Sequence, residues 1–171
     1  GADNDFVKIH NNHITKNGGA GGVGGGVSIY AGTQVYDVSS NYICGNFSAG
    51  HGGGIGHQGS SNRGVIAGNT VIFNQSFNQG LNVSGGGIFV GGQAPIVAGT
   101  LSPGSGNVTV SGNLVQGNQA GAGDGGGIAA QFVNGSAIVP APNNESTWYR
   151  LVLENNMVVN NLAGMAGGGI S

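Results

Sequence analysis

Apolar and polar residues alternate along this chain in short runs, and the runs recur. Val7 and Ile9 alternate with Lys8 and His10; Val108 and Val110 alternate with Thr109 and Ser111. A period of two with β-branched residues predicts short strands with one buried face. Each run opens a module that reads V-x-[IV]-x-x-N-x-[IV]-x-x-N, then a short polar spacer, then G-G-G-[IV].

The module occurs five times. Its first Asn is Asn12, Asn41, Asn69, Asn113 and Asn156, and its second is Asn17, Asn46, Asn74, Asn118 and Asn161. Between them stand the inward candidates Ile14, Ile43, Val71, Val115 and Val158. The triple glycines end in Val27, Ile55, Ile88, Ile128 and Ile170. The Asn residues fall where strands end, and Asn tolerates the left-handed region, so the pattern places corners there. Triple glycine allows positive φ and close backbone approach, and a strip of it leaves room for a ligand.

A unit of about three short strands cannot close a core alone, but stacked copies can, each strand pairing with its equivalent at about 4.8 Å. The expected fold is therefore an all-β, right-handed parallel β-helix of about five coils, at roughly 7–34, 35–64, 65–107, 108–150 and 151–171. Handedness rests on the lack of the strict hexapeptide period usual in left-handed coils. Successive first Asn residues are 29, 28, 44 and 43 positions apart. The two longer turns carry added loops, 91–107 and 134–150, at the same address, so both should project from one side.

Composition then narrows the functional classes. Gly is 39 of 171 residues, but at repeated addresses, which reads as turns and not as disorder. Only 6% of residues are charged, with four Lys plus Arg and a formal net charge of −2, a poor match for nucleic acid. No apolar run reaches the roughly 18 residues of a membrane span. Cys44 is the single cysteine, expected at an outward position with no internal disulfide. No secretory signal is visible, and the ends carry no polar cap, so the chain reads as a piece of a longer β-helix or one whose ends another chain covers. Open ends would favour end-to-end self-association.

The GGG[IV] and [IV]-x-x-N repeats resemble the GGA[ILV] and FxxN repeats of chlamydial polymorphic outer-membrane protein passengers. More broadly, the chain is similar to bacterial right-handed parallel β-helix repeat proteins, including autotransporter passengers, adhesins and pectate-lyase-like enzymes. The FxxN phenylalanine is aliphatic here: Ile14, Ile43, Val71, Val115 and Val158. The resemblance covers nearly the whole chain. It implies an extracellular or cell-surface location, an adhesive, scaffold or self-assembling role, and a glycan or host-surface ligand.

Aligned copies place side chains in columns. Lys8 and Asp37 become neighbours on adjacent coils, and an exposed ion pair is expected. The column before the triple glycine holds Val23, His51, Ser84, Asp124 and Ala166. His51, Ser84 and Asp124 are the ingredients of a hydrolase, with Ser in the middle instead of His. The competing reading makes them turn-capping groups. Glu145, Trp148, Tyr149 and Arg150, in the second long loop, form the densest candidate ligand-binding cluster, or an aromatic plug over the core edge. His51, His57 and His13 are the candidate metal ligands, although zinc or copper needs three or four that converge. His57 falls in an apolar column, which predicts a partly buried, hydrogen-bonded ring. The carboxylates Asp37, Asp124, Glu145 and Glu154 fall in different columns, whereas lyase or glycosidase chemistry needs them clustered. The three classes left open are a binding rod without chemistry, a hydrolase or polysaccharide lyase, and a metal-binding module, with no organic cofactor indicated.

Overall fold

The chain is a parallel β-helix, described here from a computed structural model covering residues 4–30, 33–95 and 97–171. The first three lead-in residues, Ala31 and Gly32 of the first coil, and Ile96 of the first long loop lie outside the described residues. Every strand pairs in parallel with its equivalent one turn away, giving four sheets that run along the coil axis. The first sheet stacks Val7–His10, Val35–Ser39, Ser61–Ala67, Gly106–Ser111 and Leu151–Glu154. The second sheet stacks the strands between the two Asn positions, from His13–Thr15 to Met157–Val159. Two-residue strands directly after the second Asn make the third sheet. The strands that follow the triple glycine make the fourth, and Ile170 adds a bridge to Ile128.

Inside lies one continuous aliphatic core. The predicted inward ladder is in register throughout, Ile14 to Ile43 to Val71 to Val115 to Val158. Ile43, Val71 and Val115 are wholly buried. One coil departs from the aliphatic rule: Tyr36 faces inward and is buried, and its ring occupies the space a side chain at Gly64 would need. A large residue on one coil is offset by a missing one on the next, which keeps the stack at constant thickness.

The Asn positions form two continuous ladders. Asn12 to Asn156 are joined through Nδ2-to-Oδ1 bonds of 2.9–3.0 Å, and Asn17 to Asn161 through bonds of 3.0–3.1 Å. The same Oδ1 also accepts the backbone N–H of the Asn one coil earlier, and the second Nδ2 proton goes to a carbonyl of the preceding coil, as Asn113 does to Ile66 at 2.9 Å. Asn41, Asn46, Asn69, Asn74, Asn113 and Asn118 thus use both amide protons and both acceptor positions, which is how an amide can be buried without cost to the fold.

The left-handed corner lies one residue earlier than the sequence suggests. Asn11, Ser40, Gly68, Gly112 and Asn155 precede the first ladder with φ between 53° and 62°. Lys16, Gly45, Phe73, Gly117 and Asn160 precede the second with φ between 53° and 65°. A ladder Asn must turn its side chain inward, so the backbone bends at the residue before it.

The triple glycine strip is closed, not open. Its first glycine turns the chain with φ between 59° and 85° in all five coils. Its second presses on the opposite wall: a Cβ at Gly53, Gly86 or Gly126 would stand 2.3–2.5 Å from backbone atoms of Gln75, Gln119 or Leu162. The expected room for a ligand is taken up by close packing between two walls of the coil.

Candidate functional site

The column before the triple glycine is in register across all five coils. Gly24, Gly52, Gly85 and Gly125 donate their N–H groups in turn to the carbonyls of His51, Ser84, Asp124 and Ala166. The longer spacer of the third coil bulges outward without displacing Ser84. His51 Nδ1 accepts the Ser84 N–H at 3.0 Å, and Asp124 Oδ1 accepts the Ala166 N–H at 3.0 Å. Two chemically different side chains therefore perform one task, capping an N–H of the following coil.

His51 is half-buried and stacks on Phe89, with ring centroids 4.2 Å apart. Burial lowers its pKa below the ordinary value. With Nδ1 committed as acceptor, the neutral ring carries its proton on Nε2. Ser84 is fully buried, and its Oγ accepts from Gln131 Nε2 at 3.1 Å. Among the described residues no hydrogen bond joins Ser84 Oγ to His51 or to Asp124. His51 and Asp124 sit two coils apart, roughly 10 Å along the axis. They share an open side groove of about 490 Å³ with Leu81, Asn82, Gln131 and Phe132.

The three candidate metal ligands lie in three places. His13 is exposed on the second sheet, its ring 5.4 Å from that of Tyr42. His51 faces the side groove. His57 is inside the coil, 1% exposed. Among the described residues no group of three or more His, Cys, Asp and Glu is placed to hold a metal ion. His57 is buried more deeply than its column suggested: Nε2 pairs with the Ser105 carbonyl at 3.1 Å, the ring packs 5.5 Å from Tyr36, and Nδ1 has no partner. Its pKa is lowered by burial, partly opposed by the hydrogen bond to the Ser105 carbonyl.

The two long loops lie against each other. Ser136 N–H donates to the Ser102 carbonyl at 2.7 Å, and Ser105 N–H to the Val133 carbonyl at 3.0 Å. Asn134 clasps Tyr149 from both sides, accepting its N–H and donating to its carbonyl. Asn107 Oδ1 accepts the Arg150 N–H at 3.0 Å. The Tyr149 ring lies over Gly104, and Tyr149 is half-buried. Glu145, on a short 3-10 turn (Glu145–Thr147), Trp148 and Arg150 are exposed. Thus the loop candidates divide into one anchored aromatic and three outward-facing side chains. No ion pair joins Glu145 to Arg150 among the described residues.

Lys8 and Asp37 are register partners as expected, but the side chain that meets the Asp37 carboxylate is His10, Nε2 to Oδ2 at 3.2 Å. Cys44 is a free, half-buried thiol.

One group of side chains escapes the repeat pattern. Phe47, Phe73 and Phe77 are 44%, 60% and 40% exposed and line a single surface groove. The signal was available in the outward columns beside the second Asn ladder, where these phenylalanines replace mostly small or polar residues.

Comparison with protein-family models, with curated proteins and with solved structures gives no match.

Proposed function

We propose that this chain is a rigid segment of a secreted or surface-exposed bacterial β-helix protein, working without chemistry as an adhesive or scaffold rod. The observation that carries the reading is the fate of the repeated polar groups. The Asn ladders spend their amides on one another, and His51 and Asp124 spend an acceptor each on backbone N–H groups of the next coil. Glu145, Trp148 and Arg150, which belong to no repeat, face outward on the stacked loops. Such loops on a stiff scaffold are suited to recognition. The resemblance to autotransporter passengers supports the same location and role.

The rival is a hydrolase or lyase acting in the side groove of His51 and Asp124. A turnover panel separates the two: polyuronates, neutral polysaccharides and activated esters, each with and without chelator. The rod gives no product with any of them. Turnover that disappears in His51→Ala, with the fold intact, overturns this reading and makes the side groove an active site.

A further inference from the structure

The side groove of His51 and Asp124 gathers three departures from the repeat. The spacer that carries Leu81 and Asn82 is the longest of the five, and both residues line the groove. Phe132 stands where the two preceding coils carry Gly59 and Gly92, and its ring lines the groove as well. The varied column before the triple glycine supplies His51 and Asp124, and Gln131 adds an amide. The space between them, about 490 Å³, falls in the range of small-molecule sites, roughly 300–1,000 Å³.

Three of the polar side chains are held by one atom and keep another free. His51 Nδ1 accepts the Ser84 N–H and the ring stacks on Phe89, which leaves Nε2–H. Asp124 Oδ1 accepts the Ala166 N–H, which leaves Oδ2. Gln131 Nε2 donates to Ser84 Oγ, which leaves the amide oxygen. Among the described residues none of these three remaining atoms has a hydrogen-bond partner. A side chain already fixed at one end loses little further freedom to a ligand, so the groove is organised before anything binds. One donor and two acceptors thus border a concavity whose apolar side is Leu81 and Phe132, both exposed. Charge narrows the ligand further. Asp124 is the single carboxylate on this lining, no Lys or Arg joins it, and burial lowers the pKa of His51, which favours the neutral ring. An anion would meet Asp124 without a counter-charge. A cation would meet the positive end of the His51 N–H dipole.

We infer that this side groove binds one unit of a neutral sugar. Its hydroxyls donate to Asp124 Oδ2 and to the Gln131 amide oxygen, His51 Nε2–H donates to one of its oxygens, and its C–H face lies on Phe132. His51 and Asp124 stand two coils apart, about 10 Å along the axis, which leaves room for a single six-membered ring with a hydrogen bond at each end. A hydroxyl both donates and accepts, so one ligand type satisfies the donor and the acceptors together. The C–H face of a pyranose is weakly positive and suits the negative face of an aromatic ring. This ligand class rests on the binding-rod reading and places the ligand beside the long loops, not on their exposed Trp148.

Affinity electrophoresis of the whole chain through gels containing a neutral glucan, a galactomannan or a polyuronate tests it, with Asp124→Ala, Phe132→Gly and Trp148→Ala alongside. Retardation by a neutral polysaccharide is expected. Asp124→Ala should weaken it about tenfold or more while the thermal midpoint holds, because the fold loses only the cap of one exposed N–H. Phe132→Gly should weaken it too, and glycine accepts the φ of 52° at that position. Trp148→Ala should leave it unchanged. Absence of retardation by both neutral polymers overturns the inference and leaves the rod reading standing. So does retardation by the polyuronate alone, retardation that survives both Asp124→Ala and Phe132→Gly, or binding lost only in Trp148→Ala. Release of new reducing ends from a retarding polymer would instead overturn the rod reading, and the inference with it.

Discussion

The Asn ladders and the column before the triple glycine run side by side through the same five coils, yet they are built on opposite rules. In the ladders one residue type repeats without exception, and each amide solves its neighbour's hydrogen-bonding problem. In the other column Val23, His51, Ser84, Asp124 and Ala166 differ at every level; backbone hydrogen bonds keep them in line, and His51 and Asp124 each add a side-chain cap. The difference shows what repetition is for. Where every coil buries the same polar group, a copy of itself can be its partner, because an identical coil brings the same atoms to the same height. Where the residue varies from coil to coil, each polar side chain finds a partner of its own, as Ser84 Oγ does in Gln131 and His51 Nδ1 in the Ser84 N–H.

The largest expected effect comes from breaking a ladder. Asn113→Ala removes the acceptor of the Asn69 N–H and Nδ2 and the donor to the Ile66 carbonyl. Buried groups without partners cost about 1–3 kcal/mol each, so a loss of about 4 kcal/mol in urea unfolding is expected. A smaller figure, near that of a surface change, would mean that water reaches the ladder.

Gly86→Ala comes next. Its Cβ would meet the Gln119 backbone at 2.3 Å, and overpacking of this kind costs about 3 kcal/mol. Gly21→Ala is the matched control, since a Cβ there meets nothing within 4 Å, and its midpoint should be unchanged. Equal effects at the two sites would contradict the closed strip.

The histidines sharpen the comparison through pH. Burial holds the folded-state pKa of His51 and His57 below the ordinary 6.5. The unfolded chain therefore takes up protons first as pH falls. Stability should be level above about pH 6.5 and decline below it, until the folded rings also titrate. His51→Gln, which does not titrate, should flatten part of that decline. A stability that rises on acidification would contradict the placement of both rings.

Asp124→Ala should matter least. It uncaps one exposed N–H, that of Ala166, and a change within about 0.5 kcal/mol is expected.

Much of this architecture could be read from the chain before any coordinates. A fixed Asn-to-Asn offset in five copies predicts parallel stacking, and the aligned columns give the register of His10 with Ser39 and of Lys8 with Asp37. What the pattern could not show was direction. Both the corner and the ladder sit at Asn-rich positions, so sequence alone could not place the left-handed residue one position before the ladder Asn. Triple glycine marks close approach, but not whether a ligand or another wall makes that approach. Asp37 had two basic neighbours within reach, and the side-chain geometry chose His10 over Lys8. The candidate sites were harder still. His57 in an apolar column was visible as buried, but its orphaned Nδ1 was not. Phe47, Phe73 and Phe77 stand in repeat columns whose other members are mostly small or polar, so the repeat itself carries no sign of them.

Amide hydrogen exchange on the native protein tests the central claim most directly. The backbone N–H groups of Asn41, Asn46, Asn69 and Asn74 each donate to the Oδ1 of the next ladder rung. If the ladders hold the coils in register, these amides exchange only with global unfolding, and Asn113→Ala releases Asn69 first. Ladder amides that exchange as fast as those of the exposed loop around Ser146 would contradict the account.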